Sequence, residues 1–236
     1  IGNFANEMIA LYVSTPNNQL LFTDNAITEG VGPDSRLLLK FGLFFFDYDL
    51  DGWQDLLTSN GHLEEEITKV QKSQSYAQSA QLFWNCGGTP AKGGFAVVNS
   101  GKVGFDLFKP IVGRGSAFAD IDADGDLDVV FTQLHGKPLL LRNDQSLNNH
   151  WLRVKLFGNL ANRDGVGSII KLSYGDVTQW RLVTPARSYM SQSETVVTFG
   201  LGSEPKQIEL EVLWPGGLKQ ILPVSKFDTT IFVKEP

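Results

Sequence analysis

Two stretches of this 236-residue chain combine residue types and a spacing that suit metal binding. Asp120-Ile-Asp-Ala-Asp-Gly-Asp-Leu-Asp128 and Asp47-Tyr-Asp-Leu-Asp-Gly-Trp-Gln-Asp55 both read DxDxDGxxD. Positions 1, 3, 5 and 9 are Asp47, Asp49, Asp51 and Asp55 in one copy and Asp120, Asp122, Asp124 and Asp128 in the other. Four carboxylates so placed set hard anionic oxygens around one point while the glycine at position 6 takes the sharp turn, which is how proteins wrap a calcium ion. The backbone carbonyl at position 7, from Trp53 or Asp126, adds an oxygen. The expected cofactor is therefore Ca²⁺, at two sites. An acidic loop can also be a plain solvated turn, because Asp and Gly favour turns anyway. Identical spacing in two copies speaks against that, and the crowded acids at 120–128 repel one another unless a cation neutralises them. The EF-hand is excluded on its own terms, since it needs a bidentate Glu at position 12, where Thr58 and Phe131 stand.

The elements that must position these loops read as strands. Phe44-Phe45-Phe46 and Leu56-Leu57-Thr58 flank the first copy, and Ala117-Phe118-Ala119 and Val129-Val130-Phe131 flank the second. With 24 glycines and apolar residues in short runs, the composition suits many short strands joined by tight turns. The length allows one large all-β domain or two smaller ones.

The net charge of −6 argues against nucleic acid and anionic membrane surfaces as partners. A lone cysteine, Cys86, excludes an internal disulfide framework and a Cys-rich zinc site. Calcium loops of modest affinity fill where calcium is plentiful, which points outside the cytosol. No apolar run approaches the roughly 20 residues of a membrane span. The chain opens at Ile1 without a signal peptide, and is expected to be a processed or truncated piece.

From 1 to about 145 the chain repeats. Leu11-Tyr12-Val13, Leu82-Phe83-Trp84-Asn85 and Leu139-Leu140-Leu141-Arg142-Asn143 each open a unit. The loops are further apart than a typical propeller blade of about 40–50 residues allows. The excess is the polar stretch 61–80, with Glu64-Glu65-Glu66 ahead of Lys69 and Lys72, expected as a helical or looped insertion between blades. Blades imply a β-propeller, and only about two blades and the edge of a third are present. Missing blades or neighbouring chains are then expected to cover the open edges. After the linker 144–150, seven period-two runs (151–157, 168–174, 177–183, 196–199, 208–214, 219–222 and 230–233) read as a small antiparallel sandwich or barrel over 146–236.

These motifs resemble known families. The lead-ins Phe45-Phe46-Asp47-Tyr48-Asp49 and Ala117-Phe118-Ala119-Asp120-Ile121-Asp122 resemble FG-GAP/VCBS repeats of integrin-α-type propellers. His150-Trp151-Leu152-Arg153-Val154, Asn162-Arg163-Asp164-Gly165-Val166-Gly167, Ser188-Tyr189-Met190-Ser191-Gln192-Ser193, Phe199-Gly200-Leu201-Gly202 and Trp214-Pro215-Gly216-Gly217 resemble an ASPIC/UnbV domain. In this order the motifs resemble the C-terminal part of the cartilage acidic protein family. The resemblance implies a secreted or cell-surface calcium-binding propeller with a C-terminal β-domain, the same eight aspartates as ligands, and no general enzymatic activity. The first loop departs from the pattern at Trp53, where an acidic or polar residue is common.

Catalytic alternatives fare worse. His62, His135 and His150 are far apart, outside any metal-binding spacing, and read as loop or surface histidines. Gly113-Arg-Gly-Ser-Ala-Phe118 matches neither GxSxG nor GxxxxGK[ST] and reads as the approach to the second loop. Paired carboxylates can hydrolyse glycosides, but metal-bound ones make poor proton donors. Asn162-Arg163-Asp164-Gly165 could form a polar site with Ser191, Gln192 and Ser193, or simply build a turn, the preferred reading. Trp180 and Tyr189 could stack on sugars if exposed. The expected function is a non-enzymatic extracellular scaffold for adhesion, matrix contact or self-assembly, with other chains or matrix glycan as partners. The alternative is a lectin-like glycan- or peptide-binding module, and a hydrolase is the weaker third.

Overall fold

A computed structural model describes residues 1–15, 18–87, 94–205 and 207–236. A hairpin of β1 (Tyr12–Thr15) and β2 (Asn18–Asp24) stands apart as a two-stranded sheet. Next come two antiparallel meanders. The first pairs β3 (Lys40–Phe46), β4 (Asp55–Asn60), β5 (Gln81–Asn85) and β6 (Phe95–Val97) in that order. The second pairs β7 (Gly113–Ala119), β8 (Asp128–Gln133) and β9 (Leu139–Leu141). No described helix is long and apolar enough to cross a membrane.

Successive side chains of a strand point to opposite faces, and the first meander uses both. Phe44 and Phe46 of β3 and Leu57 of β4 join Leu82, Leu127, Val129 and Phe131 in a core shared by the two meanders. Leu56 and Phe83 turn the other way, onto Ile9, Ala26 and Val31. All of β4 is therefore buried, including Thr58, Ser59 and Asn60.

The remaining strands are β10 (His150–Phe157), β11 (Ile169–Tyr174), β12 (Val177–Leu182), β13 (Val197–Gly202), β14 (Ile208–Leu213), β15 (Lys219–Val224) and β16 (Thr229–Lys234). They form two sheets, ordered β13-β10-β16 and β12-β11-β14-β15. One core lies between them, with Leu152, Val154, Leu156 and Phe199 from the first sheet and Ile170, Leu172, Leu210 and Val212 from the second. Pro223 lies on β15, at a sheet edge, where a missing N–H costs no ladder bond. All seven period-two runs are strands.

Three expectations are corrected by strand pairing. β5 and β9 are third strands of their meanders rather than openings of units. The polar stretch 61–80, with a single helical turn at Ile67–Val70, lies inside the first meander, because Leu56 and Leu57 pair with Phe83 and Leu82 across it. The C-terminal sheets are not wholly antiparallel, since β16 runs parallel to β10.

Candidate metal centre

Each acidic stretch is the hairpin loop between the first two strands of its meander, β3–β4 and β7–β8. The two loops share four hydrogen bonds to their carboxylates. The position-1 carboxylate accepts from the glycine amide at position 6, Gly52 to Asp47 at 2.9 Å and Gly125 to Asp120 at 3.1 Å. The position-5 carboxylate accepts from the position-7 amide, Trp53 to Asp51 at 2.8 Å and Asp126 to Asp124 at 2.9 Å. The position-9 carboxylate accepts from position 2 through one oxygen, Tyr48 to Asp55 at 3.1 Å and Ile121 to Asp128 at 2.9 Å. Its other oxygen accepts from an asparagine amide at the end of the third strand, Asn85 at 2.7 Å and Asn143 at 2.8 Å. Position 4 is left-handed in both loops, Leu50 at φ 58° and Ala123 at 65°, and the glycines follow at 96° and 101°. Short polar side chains thus satisfy the backbone of a turn that glycine alone enters without strain.

Carboxylates 1, 3 and 9 converge in both copies, with oxygens of Asp47, Asp49 and Asp55 within 4.8 Å of one another, and likewise those of Asp120, Asp122 and Asp128. Position 5 lies outside these clusters; Asp124 groups instead with Asp122 and Asp144. At position 7 the Asp126 side chain turns away to Gln145, 2.8 Å distant, and Trp53 is half exposed. Neither side chain joins its cluster.

The first cluster is the more buried. Asp47, Asp49 and Asp55 are all buried, and Oδ1 of Asp47 and Oδ1 of Asp49 have no hydrogen-bond partner. Burial, then the charges of Asp51 and Asp49, pushes Asp47 well above the usual carboxylate range. Burial likewise raises Asp49 to about 6 and Asp55 to about 9, the latter against the Asn85 amide bond. Orphaned, buried, mutually repelling carboxylate oxygens are a donor set that a hard divalent cation satisfies, so the residues fit calcium. The second cluster already meets positive charge, because Arg153 of β10 lies 3.0 Å from Asp120 and also contacts Glu194.

Both loops rest against the C-terminal sheets, a contact the sequence reading did not anticipate. A Cβ on Gly200 of β13 would stand 2.2 Å from Asp47 Oδ2 and 2.4 Å from the Leu50 carbonyl carbon. One on Gly125 would strike the Trp151 indole at 2.1 Å. The amide of Gly202 donates to the Leu50 carbonyl, and Asn149 Nδ2 to the Asp49 carbonyl at 2.8 Å. The serines of 188–193 dock here too. Ser188 Oγ accepts from the Leu43 amide and meets Ser116 Oγ at 2.8 Å, and Ser193 Oγ accepts from the Phe118 amide.

That docking separates the 188–193 motif from Asn162-Arg163-Asp164-Gly165. The latter is a turn in which Asn162 bonds Val166 twice, Arg163 pairs with Asp164 at 3.5 Å, and Gly165 takes φ 64°. Among the histidines, His135 is exposed and His150 pairs with Asp228, but His62 is buried and accepts the Glu64 amide. Gly113–Ala119 is the strand leading to the second loop. Trp180 and Tyr189 are exposed, though Lys171 Nζ stands 5.2 Å over the Trp180 ring and Phe41 packs edge-on against Tyr189.

By fold and site this is an all-β chain in which twin acidic hairpin loops abut a C-terminal sandwich. Residues 158–236 match the ASPIC and UnbV family. The chain is 34% identical over 113 residues to cartilage acidic protein 1 of Xenopus tropicalis, a match covering 44% of this chain. The human and mouse proteins of that name are 33% and 32% identical over the same length. The match spans about a sixth of those relatives, 16% of the frog and human proteins and 17% of the mouse protein.

Proposed function

We propose that the chain is part of a non-enzymatic, extracellular calcium-binding scaffold engaged in adhesion, matrix contact or self-assembly. In this reading 1–145 forms β-propeller blades of the FG-GAP/VCBS kind, each with a calcium loop, and 146–236 is an ASPIC/UnbV-like domain that braces the loops. The observation that carries it is the pair of partnerless, buried oxygens on Asp47 and Asp49 inside a loop whose carboxylate-to-amide hydrogen bonds at positions 1, 5 and 9 are repeated in the second copy. The loop carboxylates hold backbone amides of their own turns, a structural role that supports the non-enzymatic reading. Relatives named for cartilage support an extracellular setting. Leu20, Leu21 and Phe22, exposed on the β1–β2 hairpin, support contact with other proteins.

Calcium that binds the folded loops and not the unfolded chain stabilises by RT ln(1 + [Ca]/Kd), about 2.7 kcal/mol at a hundredfold excess over Kd. Asp51→Asn and Asp124→Asn keep the oxygen that accepts the position-7 amide while removing charge. Each is expected to shrink the rise in melting temperature that calcium gives over excess chelator. The readout is the difference in melting temperature between calcium and excess chelator within each variant, since loss of a repelling charge can itself shift the chelator value; a difference unaltered from wild type in both variants removes the metal assignment. Light scattering in calcium and in chelator tests assembly, and an identical monomer mass in both would sink it.

A further inference from the structure

Between the first meander and the C-terminal sheets lies a second feature that the calcium reading does not use. A cavity of about 30 Å³ is lined by Phe118, Arg181, Thr184, Arg187, Glu194 and Thr195 among others, room for one small ion or a couple of waters. Two guanidinium groups border it, and both are held in place. Arg181 packs 5.4 Å over the Phe199 ring and donates to the Gln179 side chain and the Trp180 carbonyl. Arg187 lies 5.7 Å from the Phe118 ring and donates to the Leu182 carbonyl. Each keeps a buried Nε–H without an acceptor.

Neither guanidinium at this cavity has a contact ion pair. Among the described residues no carboxylate lies within ion-pair distance of either guanidinium. Glu194, the acid on the cavity wall, is committed to Arg153 and to the Asp120 amide. Asp47 acts on Arg181 from further off, and Arg187 opposes it as a like charge. Two partly buried cations facing one small space, each with an unmet donor, call for an anion. The Thr184 and Thr195 hydroxyls on the wall suit the same ligand.

We propose that the cavity bounded by Arg181 and Arg187 is a binding site for a small inorganic anion of chloride size. The small volume favours a monatomic ion, and the donor set of guanidinium N–H and hydroxyl groups suits a halide. Such an ion would lie where both meanders meet the C-terminal part, against two guanidinium groups that lack a contact ion pair.

The test uses the full 236-residue chain at constant ionic strength, with sodium gluconate replaced stepwise by sodium chloride. The expected result is a saturable rise in melting temperature in wild type. In Arg187→Met, loss of one charged donor weakens the response by about tenfold or more. Thr184→Val, which removes a neutral donor, serves if that variant does not fold, and its midpoint moves in the same direction. Crystals of the wild-type protein grown in bromide are expected to show anomalous density between the two guanidinium groups. A chloride response indistinguishable from gluconate, or a bromide map with water alone in the cavity, overturns the proposal.

Discussion

Arg153 is the best place to test whether the C-terminal sheets and the second acidic loop are one electrostatic unit. Its guanidinium lies 3.0 Å from Asp120 Oδ2, contacts Glu194, and donates through Nε to Thr198 Oγ1 at 3.2 Å. The Arg153 and Asp120 side chains are 8% and 0% exposed, that of Glu194 17%. Arg153→Met keeps the apolar stem but leaves two acids facing each other. Removing one partner of a buried ion pair costs roughly 3–5 kcal/mol, and the partial exposure of Glu194 favours the lower end, about 3 kcal/mol. For a chain of this size each kcal/mol moves the melting temperature by roughly 2–4 °C, so a fall of about 6–12 °C is expected in excess chelator. Saturating calcium should shrink that fall, because a divalent ion in the loop meets the Asp120 charge. The double variant Arg153→Met/Glu194→Gln should recover part of it by removing one unpaired acid. Arg163→Met is the control, because Arg163 is 87% exposed and its 3.5 Å pairing with Asp164 contributes little. Differential scanning calorimetry on the four proteins, with and without calcium, reads all of this. A melting temperature for Arg153→Met within about 2 °C of wild type in chelator would refute the buried-clamp reasoning.

Further expectations can be checked with the same protein. Gly200→Ala drives a Cβ into Asp47 and Leu50 and should cost about 1–3 kcal/mol by overpacking while weakening calcium binding by calorimetric titration; Gly216→Ala, with nothing within 4 Å, should do neither. In chelator, the buried acids raised to about 6 (Asp49) and about 9 (Asp55) hold protons longer in the folded state than in the unfolded one. Their stabilising contribution is full below the unfolded value of about 4 and is lost as pH climbs through the folded values, so urea midpoints should fall from pH 5 to 9, and calcium should flatten that slope. Lys40, buried with Nζ on the Glu7 carbonyl, is lowered by burial to about 8. In saturating calcium, stability should therefore rise as pH climbs from 8 to 10, and Lys40→Met should lack the rise. Asp51→Asn should cost more calcium stabilisation than Asp124→Asn, since the first loop has no guanidinium at ion-pair distance; equal losses would contradict that difference.

What was legible in the sequence is what is decided within a few residues. In DxDxDGxxD each aspartate except position 3 bonds a backbone amide of its own loop, so nine residues specify the turn and the convergence of positions 1, 3 and 9 with little outside help. Period-two alternation located every C-terminal strand for the same reason, because the face a side chain takes depends on its own register. Pairing across distance left no such mark. Nothing local to Gln81–Asn85 says that it returns over a 20-residue excursion to lie beside β4, and nothing in Thr229–Lys234 announces a parallel partner some 75 residues earlier. The site was incomplete in the sequence on the same account. Its counter-charge Arg153 and its brace Gly200 come from the opposite part of the chain. Phe199-Gly200-Leu201-Gly202 could be matched to a family, but the reason for its first glycine is visible only where β13 meets Asp47 and Leu50. Two loops that are equivalent as sequences become unequal in the fold, one with orphaned oxygens and one with a guanidinium against it. That inequality belongs to the C-terminal sheets, and it is the part of the site that motif and spacing could not contain.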